Sequence, residues 1–227
     1  MKLVAFLCIG LLLIGCTQEG RISTNPYFPY FYPYDTIPRI YLFRDVAHGL
    51  DEQYQRIYGL EDSFGKHIIV EIYAADGRII EAMNYNLDSL DVMDHMVVDR
   101  NQRKTKADLL RNKLIPERKE SEAYFSSRFP GFLDSTIIVK EVKRRVINGE
   151  ITHKVLDEEA PSIRMDDKIK LTNFNPITRK ETSIEGMAVN YFAKGYGLVE
   201  WHSVNKKSHY RLEKVMKQEE WIKIMTR

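Results

Sequence analysis

The chain has 227 residues, 34 of them basic and 32 acidic, so its formal net charge at pH 7 is only +2. This balance argues against a nucleic-acid partner, which would require a basic surface. The sequence has no serine nucleophile elbow, phosphate loop, dinucleotide fingerprint or zinc-protease motif, and we therefore expect a non-enzymatic protein without cofactors.

The first fifteen residues are typical of a signal peptide. Lys2 supplies a positive charge, and an uninterrupted apolar run extends from Leu3 to Ile14. This run of about twelve residues is too short for a membrane-spanning helix, which needs roughly 20. We therefore predict that residues 1–15 are cleaved and that the mature chain is exported.

The segment Leu13-Ile14-Gly15-Cys16 resembles the lipobox of bacterial lipoproteins. The resemblance implies that the Cys16 thiol carries diacylglycerol and palmitate, so that lipid holds the mature protein on a membrane of the cell envelope. Thr17 stands where an aspartate commonly retains lipoproteins in the inner membrane, and an outer-membrane destination is implied, on either its periplasmic or its surface side. An ordinary secretory signal would still export the chain. The other cysteine, Cys8, is removed with the signal, which excludes a disulfide within the mature chain.

Residues 16–36 are predicted to form a tether. Between Asn25 and Tyr34 prolines alternate with aromatic residues, and closely spaced prolines favour extended backbone and prevent a helix. Three explanations for the aromatic rings remain open. They pack back on the folded domain, they lie at the level of the lipid headgroups, or they bind a protein partner.

From Ile37 onward the apolar residues recur with period two, which predicts one β-rich domain over residues 37–227. Asp76-Gly77 is a strong turn signal for a first hairpin. Its register places one set of apolar side chains on a shared face: Ile68, Val70, Ile72, Ile79, Met83 and Tyr85.

A second hairpin is predicted at Asn148-Gly149. It would pair Val146 with Ile151 and Val142 with Val155. Arg144 and His153 would then meet on the same face, and we consider these two residues candidates for lining a ligand cavity. The alternative is that this part of the sheet is exposed to water on both faces.

A third hairpin is predicted with its turn at Asn205-Lys206. In this register Val199 faces Leu212, Trp201 faces Tyr210, Glu200 faces Arg211 and His202 faces His209. A slip of one residue would turn the apolar set of one strand to the opposite face, so the side-chain pattern selects this register.

Further strands are expected at Ile40–Val46, Gln53–Leu60, Val92–Val98, Ala123–Phe129, Lys168–Phe174 and Glu185–Ala193. Lys106–Ile115 is ambiguous, with strand slightly favoured over helix. Gln218–Met225 reads as a helix with acidic residues in its first turn. About ten antiparallel strands predict a mainly β fold, either a large curved sheet or an incomplete β-barrel, with a short C-terminal helix.

The segment Tyr191 to Glu200 contains Ala193-Lys194-Gly195-Tyr196-Gly197-Leu198-Val199. It is similar to a hairpin near the C-terminus of envelope lipoproteins of Bacteroidota type, and to strand pairs of open β-barrel proteins related to lipoprotein carriers. Gly195 and Gly197 allow the chain to reverse without a Cβ clash. The resemblance implies a concave apolar face that binds lipid or a partner.

We expect no metal site. The acidic run from Asp88 to Asp99 lacks the spacing of a calcium loop. His202 and His209, as cross-strand neighbours, have a better geometry for a transition metal but lack an identifiable third ligand.

Two functions are consistent with these features. The first is a non-enzymatic envelope lipoprotein that binds or scaffolds a lipid-like ligand or an envelope partner, in an oligomeric state that the sequence leaves open. The second is a surface hydrolase or glycan-binding protein in which the rings between Tyr27 and Tyr34 form a sugar platform. A hydrolase would require titratable residues that converge in a cleft.

Overall fold

The computed structural model describes residues 23–49, 51–99, 103–131, 135–147 and 149–226. The fold is mainly β, a nearly closed antiparallel barrel with one short C-terminal helix, as the sequence predicted. The elements in chain order are a 3-10 helix (Phe28–Tyr30), β1 (Arg39–Asp45), β2 (Glu52–Asp62), β3 (Gly65–Ala74), β4 (Ile79–Asn86), β5 (Val92–Val98), β6 (Lys104–Lys106), β7 (Asp108–Asn112), β8 (Glu122–Pro130), β9 (Ile137–Val146), β10 (Ile151–Val155), β11 (Glu158–Asn175), β12 (Lys180–Ala193), β13 (Gly197–Ser203), β14 (His209–Lys217) and α1 (Gln218–Met225).

The strands form one sheet that curves back on itself. Neighbouring strands run in the order β6, β5, β4, β3, β2, β1, β14, β13, β12, β11, β9, β8 and β7, and β10 also pairs with β11. The two ends of this order meet along a seam. There, an isolated bridge joins Asp91 to Lys113, and the Ala107 N–H donates to the His95 carbonyl at 2.8 Å. The seam thus closes the barrel with few backbone hydrogen bonds.

The barrel has two ends, which differ in how they are filled. The plugged end carries the β2–β3, β4–β5, β10–β11 and β12–β13 turns. The distal end carries the β3–β4, β8–β9, β11–β12 and β13–β14 turns. The N-terminal segment from Asn25 to Tyr34 enters the plugged end, where Tyr27, Phe31 and Tyr32 are buried in the main core. This finding supports the first of the three explanations for the aromatic rings, that they pack back on the domain.

The plug fits against two glycines. A Cβ atom on Gly197 would lie 2.3 Å from the Tyr32 ring, and one on Gly59 would lie 2.6 Å from the Tyr34 ring. Gly195 and Gly197 also have φ values of +79° and +83°, so the predicted role of these two residues in the β12–β13 turn is confirmed. Gly197 therefore serves both the turn and the plug.

Two of the three predicted hairpins form. At the Asp76-Gly77 turn, Ile68 faces Tyr85 and Val70 faces Met83 as predicted. A β-bulge places Ile79 opposite Tyr73, so the prediction that Ile79 shares the face of Ile68 is wrong. In the β13–β14 hairpin, the structure pairs residues as the sequence pattern predicted: Glu200 with Arg211, Trp201 with Tyr210 and His202 with His209. The Trp201 and Tyr210 rings stack with their centroids 4.7 Å apart.

The predicted hairpin at Asn148-Gly149 is wrong, although Asn148 itself lies outside the described residues. Val146 pairs with Met165, and Ile151 pairs with Ser162, so β9 and β10 follow one another along the same edge of β11. The reversal occurs instead after β10, where Val155 faces Glu158. A long partner strand offers more ladder hydrogen bonds than a local turn, and this overrode the Asn-Gly preference.

The remaining predictions of secondary structure agree with the structure. Each of the further strands expected from the pattern overlaps an observed strand, and the ambiguous Lys106–Ile115 contains β7. Helix α1 has the predicted bounds, and its Trp221 packs on Tyr54 and Tyr73 on the outer face of the sheet. In the part of the chain that the structure describes, no helix has the length and apolar character needed to cross a membrane.

Candidate functional site

Arg144 lies inside the barrel, in a buried ion pair. Its guanidinium donates from Nε to Asp167 Oδ1 at 2.7 Å and from Nη2 to Asp167 Oδ2 at 2.8 Å. The two residues are only 8% and 5% exposed, and the guanidinium carbon lies 5.2 Å from the centre of the Phe192 ring. Such a bidentate pair fixes both side chains and directs the Nε and Nη2 donors of Arg144 to Asp167.

His153 lies on the opposite face of the sheet. On β11, His153 pairs with Ala160 and Arg144 pairs with Asp167. Ala160 and Asp167 are an odd number of residues apart, so their side chains, and those of their partners, lie on opposite faces of the sheet. The His153 ring stacks on Tyr191 at 4.5 Å. The prediction that Arg144 and His153 share a face is therefore wrong, because it depended on the incorrect β9–β10 pairing.

Glu200 organises the polar groups around His153. Its carboxylate binds His153 Nε2 at 3.1 Å, His209 Nε2 at 2.8 Å and Arg211 Nε at 2.7 Å. Burial would raise the pKa of Glu200, but the hydrogen bonds from His153, Arg211 and His209 outweigh it and hold the pKa well below the usual value. Glu200 is thus the buried centre of this polar group.

A second set of polar side chains crosses the seam inside the barrel, and the sequence analysis missed it. His95 on β5 bonds Ser127 Oγ on β8 through Nδ1 at 2.9 Å, and Glu81 Oε1 on β4 through Nε2 at 2.7 Å. Lys140 Nζ on β9 donates to the same Glu81 oxygen at 2.6 Å. Four strands are thereby joined where backbone pairing is sparse. We call these four residues the seam cluster.

Charge within the seam cluster is compensated. Burial would raise the pKa of Glu81, but the Lys140 ammonium and the hydrogen bond from His95 hold it well below the usual value. Because Glu81 is ionised, His95 donates its Nε2 proton to the carboxylate, and in the neutral ring Nδ1 accepts from the Ser127 hydroxyl. The signal for this cluster was a lone polar residue within an apolar face, such as Lys140 between Ile138 and Val142.

The order serine, histidine, carboxylate is that of a hydrolase triad, but the surroundings do not suit acyl transfer. Ser127 and His95 are both 0% exposed. The rings of Phe125 and Phe129 stand edge-on to His95 at 5.6 and 5.8 Å. A substrate carbonyl has no approach to the Ser127 hydroxyl in this packing, so the geometry favours a structural role.

The histidine pair proposed from sequence as a weak metal site is engaged otherwise. The His202 and His209 rings meet edge-on at 5.3 Å, and His209 Nε2 points to Glu200. Within the described ranges, no group of three or more histidine, cysteine, aspartate or glutamate side chains is arranged to hold a metal ion.

A mainly apolar pocket of about 760 Å³ lies at the distal end. This volume is within the usual range for small-ligand sites. At its rim, Arg128 pairs with Asp108 at 2.8 Å, and Lys106 pairs with Asp94. Its apolar lining comes from the end of β8, the start of β9 and the β11–β12 connection: Phe129, Pro130, Ile137, Pro176 and Ile177.

Cys16 and the rest of the Leu13–Cys16 motif lie outside the described residues. The described chain begins at Ser23, and the Asn25 side chain donates from Nδ2 to the Pro116 carbonyl at 3.0 Å. Pro116 belongs to the β7–β8 connection at the plugged end. The described part of the chain therefore begins at the end opposite to the apolar pocket.

Comparisons with known proteins reveal similarity in fold alone. No protein-family model and no curated protein match the chain. A protein from Bacteroides fragilis, described as exported and with a YmcC-like fold, has a TM-score of 0.50 at 12% identity, and the match covers 82% of this chain and 99% of that one. A protein from Parabacteroides distasonis, described as a lipoprotein, has a TM-score of 0.49 at 11% identity, with coverage of 82% and 98%. The first similarity supports the barrel architecture.

Proposed function

We propose that this chain is a lipid-anchored envelope protein of Bacteroidota type that presents the distal end of its barrel to a lipid-like ligand or an envelope partner. The observation that carries the proposal is the position of the N-terminal segment. Because the plug enters one end of the barrel, an acylated Cys16 would hold that end near the membrane and direct the apolar pocket away from it. The exported fold neighbour from Bacteroides fragilis is consistent with an envelope location.

We also propose that the protein is not an enzyme. Titratable side chains do converge, in the seam cluster and around Glu200, but the side chains of each cluster form hydrogen bonds and ion pairs with one another. Ser127 and His95 are enclosed, and Lys140 compensates Glu81. A sugar platform on the N-terminal aromatic rings is also disfavoured, because Tyr27, Phe31 and Tyr32 are buried.

Metabolic labelling with palmitate tests the anchor. We expect the wild type to incorporate label and Cys16→Ser to remain unlabelled, because the diacylglycerol is attached to the Cys16 sulfur through a thioether. Cys8→Ser is the matched control and should label normally, since this cysteine is cleaved with the signal. Persistent label on Cys16→Ser would refute the anchor.

Native mass spectrometry of the detergent-extracted protein tests ligand binding at the pocket. We expect the wild type to retain an added mass, and Ile177→Asp to lose it because a carboxylate would be placed against an apolar ligand. Ile37→Asp is a matched control at the plugged end, since Ile37 is 66% and Ile177 76% exposed. An unmodified mass in the wild type would argue against a retained ligand and for a protein partner. Equal loss in both variants would show that the pocket is not responsible.

A further inference from the structure

The plugged end carries exposed apolar side chains that do not belong to the core. Phe64 is 73% exposed at the tip of the β2–β3 hairpin, and Ile37 is 66% exposed where the plug leads into β1. Single exposed apolar residues are common on protein surfaces. These two, however, share the end of the barrel at which the N-terminal segment enters.

The Phe64 side chain is held at its tip by local structure. Asp62 faces Gly65 across the turn, and its Oδ1 accepts the Phe64 N–H at 2.7 Å. The buried His67 ring bonds the same Asp62 oxygen through Nε2 at 2.9 Å. The turn is therefore fixed by a buried partner, although its aromatic ring is turned outward.

The chain between Cys16 and the first described residue is short enough to limit how far the domain can lie from the membrane. Only six residues lie between Cys16 and Ser23, and the seven extended steps between these two residues span about 25 Å at most. This reach is less than half the length of β11, whose 18 residues extend over about 60 Å. An acylated Cys16 thus brings the plugged end, and not the distal end, within reach of the lipid headgroups.

From this placement we infer that Phe64 and Ile37 form a membrane-contacting rim that inserts into the lipid surface holding Cys16. The inference rests on the proposed anchor. Amphipathic and aromatic side chains at such a boundary gain from burial at the headgroup level. Charges of both signs flank the rim, with Lys66 after the β2–β3 tip and Asp157 at the β10–β11 turn, so the contact depends on apolar side chains rather than on net charge.

Site-directed fluorescence tests the rim in the full lipidated protein. The sequence has two cysteines, Cys8 in the predicted signal and Cys16 at the lipid, so Phe64→Cys would introduce the one free thiol of the mature chain for an environment-sensitive dye. The matched control is Val204→Cys in the β13–β14 turn, which is 58% exposed and lies at the distal end outside the apolar pocket. In vesicles of phosphatidylethanolamine and phosphatidylglycerol, we expect a blue shift and stronger emission for the dye at 64, and unchanged emission for the dye at 204.

Partition of the lipid-free chain gives a second readout. In a Cys16→Ser background, Phe64→Ser should weaken sedimentation with the same vesicles by about tenfold, because burial of an aromatic side chain contributes about that factor. Val204→Ser at the distal end should leave sedimentation unchanged.

The outcomes separate the rim from the anchor. Intact mass measures acylation of Cys16 independently, and a missing acyl group would refute the anchor itself. If Cys16 is acylated and the dye at 64 stays in water, the rim is refuted and the anchor remains. A blue shift at 204 in place of 64 would reverse the orientation and refute the rim. A shift at 64 without vesicles would assign Phe64 to a contact between copies of the protein.

Discussion

The two ends of the barrel differ in what fills them. At the plugged end, aromatic rings from the N-terminal segment pack among core side chains, with Phe31 edge-on to Tyr85 at 5.1 Å and Tyr32 edge-on to Tyr41 at 6.1 Å. Toward the distal end the interior becomes polar, and the side chains of Glu81 and Lys140 retain 17% and 21% exposure. The difference indicates that one end supports the fold while the other remains available for binding.

The outer edges of the two ends differ as well. At the distal end the β11–β12 hairpin continues beyond β13, which pairs with β12 only from Ala188 to Ala193. Leu171 and Ile184 face each other there and are 40% and 74% exposed. Polar and charged neighbours such as Lys180 and Glu185 protect this strand edge against uncontrolled pairing. The distal end thus exposes apolar side chains on an extended scaffold.

The largest effect is expected from breaking the buried ion pair next to the plug. Arg144→Met should lower the free energy of unfolding by about 4–5 kcal/mol, because the Asp167 carboxylate would remain buried without a partner. Urea denaturation measures the change. The double variant Arg144→Met with Asp167→Leu should recover most of it, since neither charge is then buried. A single variant within about 1 kcal/mol of the wild type would refute the tight packing of this end.

Truncation of the plug should have the next largest effect. Phe31→Ala is expected to cost about 3 kcal/mol, because the ring is only 4% exposed and would leave a cavity in the main core. Ile177→Ala at the distal end is the matched comparison and should change stability by less than about 0.5 kcal/mol. Urea denaturation of both variants decides the comparison. Equal effects would remove the distinction between a packed and an accessible end.

The smallest effect is expected from Glu81 of the seam cluster, whose contribution to stability depends on pH. The folded chain holds the pKa of Glu81 below the usual value, so at acidic pH the unfolded chain binds a proton that the folded chain does not. The stabilisation is therefore complete above the unfolded pKa, near 4.5, and decreases as the pH falls below it. Glu81→Gln should cost about 1–3 kcal/mol at pH 7 and should flatten the loss of stability in acid.

Urea midpoints at pH 7, 5 and 3.5 measure this dependence. Glu213→Gln is the control, because Glu213 pairs with Arg44 at the surface with both side chains more than 40% exposed. It should reproduce the wild-type slope, to which the depressed pKa of Glu200 also contributes. A Glu81→Gln slope equal to that of the wild type would show that the seam cluster does not stabilise the fold through charge.

Local signals in the sequence predicted much of the secondary structure. The Asp76-Gly77 turn and the Trp201–Tyr210 pair specify short-range contacts, and alternation determines which side chains share a face. The turn signal failed at Asn148-Gly149, because β9 and β10 both pair with β11 and not with each other. Turn preference contributes little compared with the ladder along β11, and only the assembled sheet shows which pairing prevails.

The candidate site depended more heavily on tertiary structure. Lys140, Glu81 and His95 come from strands that are distant in sequence, and no spacing rule relates them. Single polar residues within apolar faces marked each strand individually, but their contacts exist only because the barrel closes at the seam. Arg144 illustrates the same limit. The sequence pattern placed this charged residue on an apolar face of β9, but it did not identify Asp167 as its partner.

The sequence by itself determined the β character of the domain, the turns of two hairpins and the terminal helix, and it predicts lipid attachment at Cys16. Each of these depends on residues that are close together along the chain. Only the tertiary structure decided that the aromatic segment plugs the barrel, that Arg144 and His153 lie on opposite faces, and that the plug and the apolar pocket occupy opposite ends. These features depend on which distant strands become neighbours, and alternation along a single strand carries no information about its partner.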